Sequence, residues 1–487
     1  MVLSIVIVYE LLSVVGVGLL IRVLAKRRGE SEDFVTANRS LSAPVIGVTL
    51  GLTYLGSLHV FGVMELAWDI GFAAIWVSVA HVAMICVICL ASGRWVRKLR
   101  VATVPQMIEQ LFGKRVRVAT SCANAMVVFG MLTMEAQAIG IVLSTLTPLS
   151  IQASAVIGGV IGLFYVLFAG MKEIGIINLI NTVVMFSGLI VTGLTLGGYL
   201  PNGWEGVQAY YETSAQLDKL SVLGNPAVII AFGIPTLIST VFSQGINQQG
   251  LQVMMAAKSE RTVYKSLPWA AIINGSFTIF TVGIGVAALS IPELQALGAK
   301  VGGPMLIVNY LPPWLVAWLC AGFLGALLST FATNVMAPAT LFIKDIYVTC
   351  SGSKDSEAEQ AKKIRITIVV LGVISIISSF FLPEMVAGAN WLFSFLVPIF
   401  WVAVYGLFWK TSKKAAEVTL FGTWIINLIW SFTPLPAALG MEGVLNSYIT
   451  LACSLVIGVV ANLALPGGEA LFKTMKAKKA EALAAAE

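Results

Sequence analysis

The sequence predicts an all-α integral membrane protein, and three observations predict it. The composition is too apolar for a soluble fold to bury, the apolar residues fall in segments long enough to cross a bilayer, and the basic residues gather on one side of those segments. Of the 487 residues 58% are hydrophobic and 11% charged, with a mean hydropathy of +0.91, against about 45–50% apolar and 25% charged in soluble domains. Taking about 20 residues to cross about 30 Å of hydrocarbon, thirteen spans are expected, at 3–25, 44–67, 71–92, 118–147, 150–170, 174–198, 226–245, 267–290, 313–342, 366–384, 390–409, 416–435 and 445–465.

The first span starts almost at Met1 but is longer than a signal-peptide core and is followed by charges, so it is expected to be a retained helix. The second carries Gly47, Gly51, Gly56 and Gly62, which weaken a continuous helix. The stretch 93–117 reads as a basic internal loop, and 199–225, with Trp204, Tyr210 and Tyr211, as an external loop holding a short surface helix. The seventh span, 226–245, contains Gly233-Ile234-Pro235, where proline removes a backbone donor and a break is expected. It lies five spans after the glycine-rich one. Paired interruptions at matching positions of two inverted halves are the mark of secondary transporters, although glycines in membrane helices also serve close packing. The stretch 343–365 is a mixed-charge loop, and 473–487 is at most a solvated helix.

Starting outside, thirteen crossings place all but Lys219 and Lys300 of the 30 basic residues on one side, counting Arg22 with its adjacent loop. The positive-inside rule then sets the N-terminus out and the C-terminus in, in a cell inner (plasma) membrane. The net charge of +6 is a topology signal and does not point to nucleic acid. Five of the six cysteines fall inside expected spans and Cys350 at an internal end, so no disulfide framework is implied; Cys86 and Cys89 have CxxC spacing but no second ligand pair. No Walker motif, nucleophile elbow or HExxH occurs, and no enzymatic activity is expected.

In the ninth span, Ala326, Ser329 and Thr330 stand at i, i+3 and i+4 on one helix face. Hydroxyls at bilayer depth are ligands that a hard monovalent cation can use, and sodium is the expected ion. The alternative is that both hydroxyls bond back to their own helix.

The tracts Leu99-Arg100-Val101-Ala102-Thr103-Val104-Pro105-Gln106 to Phe112-Gly113, Gly162-Leu163-Phe164-Tyr165 with Phe168 to Lys172, Asn247-Gln248 with Ala256-Ala257-Lys258, and Ala326 to Thr330 running on to Asp345-Ile346-Tyr347 resemble the sodium:solute symporter family over roughly 30–415. Thr53-Tyr54 to Gly62 and Met134 to Gly140 look most like its pantothenate-permease branch. The resemblance implies a LeuT-type fold: a leading helix and loop (1–43), a five-plus-five inverted repeat (44–409, halves 44–198 and 226–409), and two trailing helices with a tail (410–487). It also implies a sodium site made of the Leu52, Leu55 and Ala326 carbonyls with the Ser329 and Thr330 hydroxyls.

For the solute, Ser243 and Gln244 stand where family sugar transporters place aromatics, which disfavours a sugar. His59, Glu65, Glu135, Gln137, Thr236 and Ser239 are the other polar candidates, and a carboxylate at bilayer depth is a functional candidate by default. Glu135 could take an ammonium group or a proton, or pair with His59. Where many members have a Trp-Thr-Asp stretch tied to a further sodium, this chain has Ile176-Ile177-Asn178, and one coupled sodium is expected. The expected activity is sodium-coupled symport of a small polar organic solute (a carboxylate, vitamin acid or amino acid) with the bilayer and no obligate protein as surroundings. The alternatives are proton coupling through Glu135 and His59, or a membrane solute sensor, which the short tail disfavours.

Overall fold

The computed structural model describes residues 2–16, 20, 23, 37–168, 171–382 and 385–484. Among them ten helices are long and apolar enough to cross a membrane, and Val2–Ser13, Ala43–Thr53 and Ile151–Leu167 are shorter apolar helices. The basic cluster Lys26, Arg27 and Arg28 lies outside the described residues.

Burial sorts the helices into an inner and an outer set. The apolar window of Pro313–Ser351 is 94% buried and that of Lys114–Leu146 83%, whereas Gly175–Tyr199, Glu357–Phe381 and Asn446–Ala464 are each 33% buried. A helix apolar all round suits either a protein interior or lipid, so the sequence pattern alone did not tell these two sets apart. Helix Pro313–Leu341 is the axis: Leu315 onward is buried on every face apart from Trp318.

The glycine-rich span is two helices, Ala43–Thr53 and Leu58–Ile70, separated at 54–57. The first lies against Glu260–Leu289 so closely that a Cβ on Gly47 would come within 2.6 Å of the Ser266 carbonyl and the Trp269 Cβ. The seventh span corrects its expectation. No break occurs at Gly233-Ile234-Pro235: the helix takes a widened turn, Ile229–Gly233, continues through Ile234–Ser239 and takes a second widened turn, Thr240–Gln244. Widened turns absorb a proline's missing N–H without ending the helix. The break falls at 245–247, before helix Gln248–Met255.

Residues 93–117 are also more ordered than a loop, forming helices Gly93–Leu99 and Val104–Phe112. Thr103 caps the second by accepting from the Gln106 N–H, and Pro105 sits in its first turn. The same Thr103 hydroxyl donates to Asp345 Oδ1 at 2.9 Å, and Arg117 Nε donates to that oxygen at 2.8 Å. Two tracts far apart in sequence thus form one buried polar junction. The stretch 199–225 holds the expected short helix at Gly203–Thr213, and the tail is helical over Leu471–Ala484. A two-residue antiparallel pairing of Lys410–Thr411 with Gly468–Glu469 was not foreseen.

Candidate functional site

The two breaks face each other at the centre and bond to one another. The Tyr54 hydroxyl, at the first break, donates to the Gln244 carbonyl at the second (3.2 Å). Gln249 Nε2, just past the second, donates to the Thr53 carbonyl at the first (2.8 Å). Gly250 is required here, because a Cβ would overlap the Tyr54 hydroxyl. Between the breaks lies a cavity of about 10 Å³, bordered by Tyr54, Glu135, His81, Gln244, Gln249 and Thr330. That is room for about one water, so a solute enters only if the surrounding helices move.

Thr330 sits where the sodium hypothesis needs it. Its hydroxyl is 3.0 Å from the Ala326 carbonyl and 3.1 Å from the Leu52 carbonyl. One hydroxyl proton can serve one of these at a time, so three oxygens crowd around a single hydrogen. Ser329 Oγ is fully buried and has no hydrogen-bond partner among the described residues. The back-bonding alternative therefore holds for Thr330 in part and not for Ser329. Leu55 is buried at the break, and its N–H donates to the Leu52 carbonyl (2.9 Å).

Glu135 is committed to the first break. From helix Lys114–Leu146 its two oxygens accept the Ser57 N–H at 3.1 and 3.0 Å, and Oε1 also accepts the Ser57 hydroxyl at 3.0 Å. A carboxylate is thereby seated on the positive end of the half-helix Leu58–Ile70. Gly56 permits the approach, since a Cβ there would overlap the carboxylate.

His59 corrects the pairing considered from sequence: it makes no bond to Glu135. Both of its ring nitrogens are buried without a partner among the described residues, and its ring lies edge-on to His81 with centroids 4.3 Å apart. The chain's two histidines are thus in contact. Gln137 also turns away from the cavity, donating to the Ser379 carbonyl at 3.2 Å. Thr236 and Ser243 are buried with unpartnered hydroxyls, while Ser239 donates to Asn390 Oδ1 (3.1 Å). Gln244 Oε1 accepts from Asn247 (2.7 Å). Glu65 is half-buried and does not border the cavity.

Sequence reasoning missed Tyr54, His81 and Gln249 at the cavity. Tyr54 and Gln249 had a signal, as each adjoins a helix break; His81 sits mid-helix and had none. Asn178 is fully buried with neither amide atom partnered among the described residues, and Asn181, one turn on, donates to the Gly325 carbonyl (3.1 Å) and accepts from Tyr9 (2.7 Å).

The sequence pattern of the sodium:solute symporter family matches residues 34–425. The chain belongs to that family. Its relatives include a monocarboxylic acid transporter of Corynebacterium glutamicum, 25% identical over 89% of this chain and 84% of the relative. Another is a sodium/glucose cotransporter of Vibrio parahaemolyticus, 24% identical over 87% and 83%. Among solved structures, a Na+-coupled sialic acid symporter in a substrate-bound outward-open state superposes with a TM-score of 0.78, at 16% identity over 96% of this chain and 99% of that one. MhsT in complex with L-phenylalanine superposes with a TM-score of 0.51, at 14% identity over 86% of this chain and 96% of that one. The fold is the LeuT type, a multi-pass helical membrane architecture. Family and fold are those of transporters.

Proposed function

We propose that this symporter couples sodium entry to uptake of a small polar organic solute, a carboxylate, a vitamin acid or an amino acid, by alternating access. The observation that carries the reading is the oxygen cluster of Thr330, Ala326 and Leu52 beside the unpartnered hydroxyl of Ser329. A bound cation there would join the broken helix to the axial helix, and the Leu55 carbonyl is assigned as a further ligand. The sodium/glucose cotransporter and the Na+-coupled sialic acid symporter among similar proteins support sodium as co-substrate. The monocarboxylic acid transporter supports an acid as solute, as does the resemblance to the pantothenate-permease branch. Glu135, His59, Thr236, Ser239, Ser243 and Gln244 are assigned to the solute path, with Gln137 in a supporting contact. The proposal keeps the division at 43/44 and 409/410, thirteen crossings with the N-terminus outside, no catalytic activity and no obligate protein partner. Each charge moved contributes about 2.3 kcal/mol per 100 mV of membrane potential.

The test is uptake into proteoliposomes. Ser329→Ala and Thr330→Ala are expected to raise the sodium concentration for half-maximal uptake several-fold with membrane insertion unchanged; unaltered sodium dependence in both would overturn the site. The sodium-to-solute flux ratio is expected to be one. An amide supplies no negative charge to offset a second cation at low dielectric, and Asn178 is such an amide. A ratio of two would mean that another acidic residue serves; the side chain of Glu173, the nearest in sequence, lies outside the described residues.

Proton coupling is the second reading, favoured by the buried contact of both histidines beside the Glu135 cavity. It requires Glu135→Gln to abolish uptake or its pH dependence. Normal transport by that variant between about pH 5 and 8 would dismiss it.

A further inference from the structure

At one end of the bundle, away from the central cavity, three helix ends meet: the start of Lys114–Leu146, the end of Pro313–Ser351 and the start of Lys413–Phe432. They enclose an open groove of about 590 Å³ whose rim carries Lys114, Arg115 and Thr349 and whose wall includes Val118 and Phe421. Lys413 stands alongside, its Nζ 3.7 Å from where a Cβ on Gly113 would lie. Lys114, Arg115 and Lys413 are exposed and form no ion pair among the described residues, whereas their neighbour Arg117 is consumed by Asp345 and Glu109. Among the described residues that line the groove, the single carboxylate is Glu417. The site is therefore net cationic.

Two exposed apolar tracks leave this groove toward the middle of the membrane-spanning region. On helix Lys413–Phe432, Phe421, Ile425 and Leu428 follow one another at i, i+4 and i+7, and all are exposed. On Lys114–Leu146, Val118 leads to exposed Cys122 and Met126 at i, i+4 and i+8. From Phe421 to Phe432 the helix rises about 16 Å, roughly one leaflet of a 30 Å hydrocarbon core.

We propose that this groove binds an anionic phospholipid, its phosphate held by Lys114, Arg115 and Lys413 and an acyl chain lying along Phe421, Ile425 and Leu428. Charge complementarity selects the head group, since basic pockets between membrane helices near the bilayer surface hold anionic lipid heads. The apolar tracks select a lipid over a free anion. Neither feature takes part in the sodium or solute site.

The experiment measures lipid retained by the purified full-length protein after detergent exchange, by native mass spectrometry, with phosphatidylglycerol, phosphatidylcholine or inorganic phosphate added. The proposal expects phosphatidylglycerol to be retained over phosphatidylcholine. The triple variant Lys114→Gln, Arg115→Gln, Lys413→Gln should weaken phosphatidylglycerol retention at least tenfold, at about fivefold per cation, with phosphatidylcholine unaffected. Phe421→Asn should weaken it several-fold with the charges intact. Equal retention of both lipids, or an unchanged triple variant, would overturn the assignment. So would inorganic phosphate displacing phosphatidylglycerol at equal concentration, because the site would then take a free anion. Thermal unfolding in lipid-free detergent separates misfolding from lost binding: should the triple variant unfold early, Phe421→Asn and the phosphate competition on the unmodified protein still decide.

Discussion

The two helix breaks do the same job with different means. At the second, the capping is mainly local: Asn247 Oδ1 accepts the Gln249 N–H at 3.0 Å and its amide donates to Gln244 three residues back, while Asn124 takes the Gln248 N–H and Tyr54 donates to the Gln244 carbonyl. At the first, apart from the local bond of the Leu55 N–H to the Leu52 carbonyl, the polar groups are met from a distance. The Gly51, Leu52 and Thr53 carbonyls accept from Asn274, Thr330 and Gln249, and the Ser57 N–H is taken by Glu135. A broken helix at membrane depth must pair every freed N–H and C=O, because no bulk water is available. The comparison teaches that the second break carries its own side-chain cap and needs few outside partners, whereas the first break is held open by four other helices and shifts when any of them moves. A cation or solute that pulls on Thr330 or Glu135 therefore acts on the first break directly.

Removing the clamp should give the largest effect. Glu135→Ala leaves the Ser57 N–H and hydroxyl without an acceptor, a cost of about 1–3 kcal/mol per buried group. Uptake should fall more than tenfold and thermal stability should drop. Asn247→Ala, which removes a local cap, should cost about 0.5–2 kcal/mol and leave measurable uptake. Equal losses in the two variants would break the comparison.

Gly56→Ala comes next. Its methyl group would displace the Glu135 carboxylate, so it should reproduce much of the Glu135→Ala defect. The double variant should be clearly less than additive, since both changes remove one contact. Additive losses in unfolding and uptake would show that Gly56 matters for some other reason.

The smallest effect is expected from the bonds between breaks. Tyr54→Phe deletes only the hydroxyl that reaches the Gln244 carbonyl, and should lower stability by about 0.5–1.5 kcal/mol. Because that bond joins the breaks in this closed arrangement, solute affinity should change while sodium dependence does not. A shift in sodium dependence comparable to that of Thr330→Ala would place Tyr54 in the ion site instead.

The mismatch over the seventh span shows where reading the sequence stops. Gly233-Ile234-Pro235 is the stronger breaker by residue type, yet the chain continues through it and stops at Gly245-Ile246-Asn247. Proline's missing donor needs only a widened turn, whereas termination here comes with a capping side chain and a partner break to bond to. Asn247 is an ordinary N-cap residue, so the true break carried a local signal that the proline outweighed.

By itself the sequence determined the membrane class, the apolar segments, the family through its motif tracts, and the shared face of Ala326, Ser329 and Thr330. The family came through resemblance of those tracts, and the rest follows from composition and from periodicity within one helix. Only the tertiary structure decided that Thr330 meets the Leu52 carbonyl, that Glu135 serves Ser57 and not His59, that His59 meets His81, and that Gln137 faces Ser379. Each of these joins residues on different helices. The partner of a buried polar group is set by how helices cross, and an apolar helix pattern is the same whether its face meets lipid or protein.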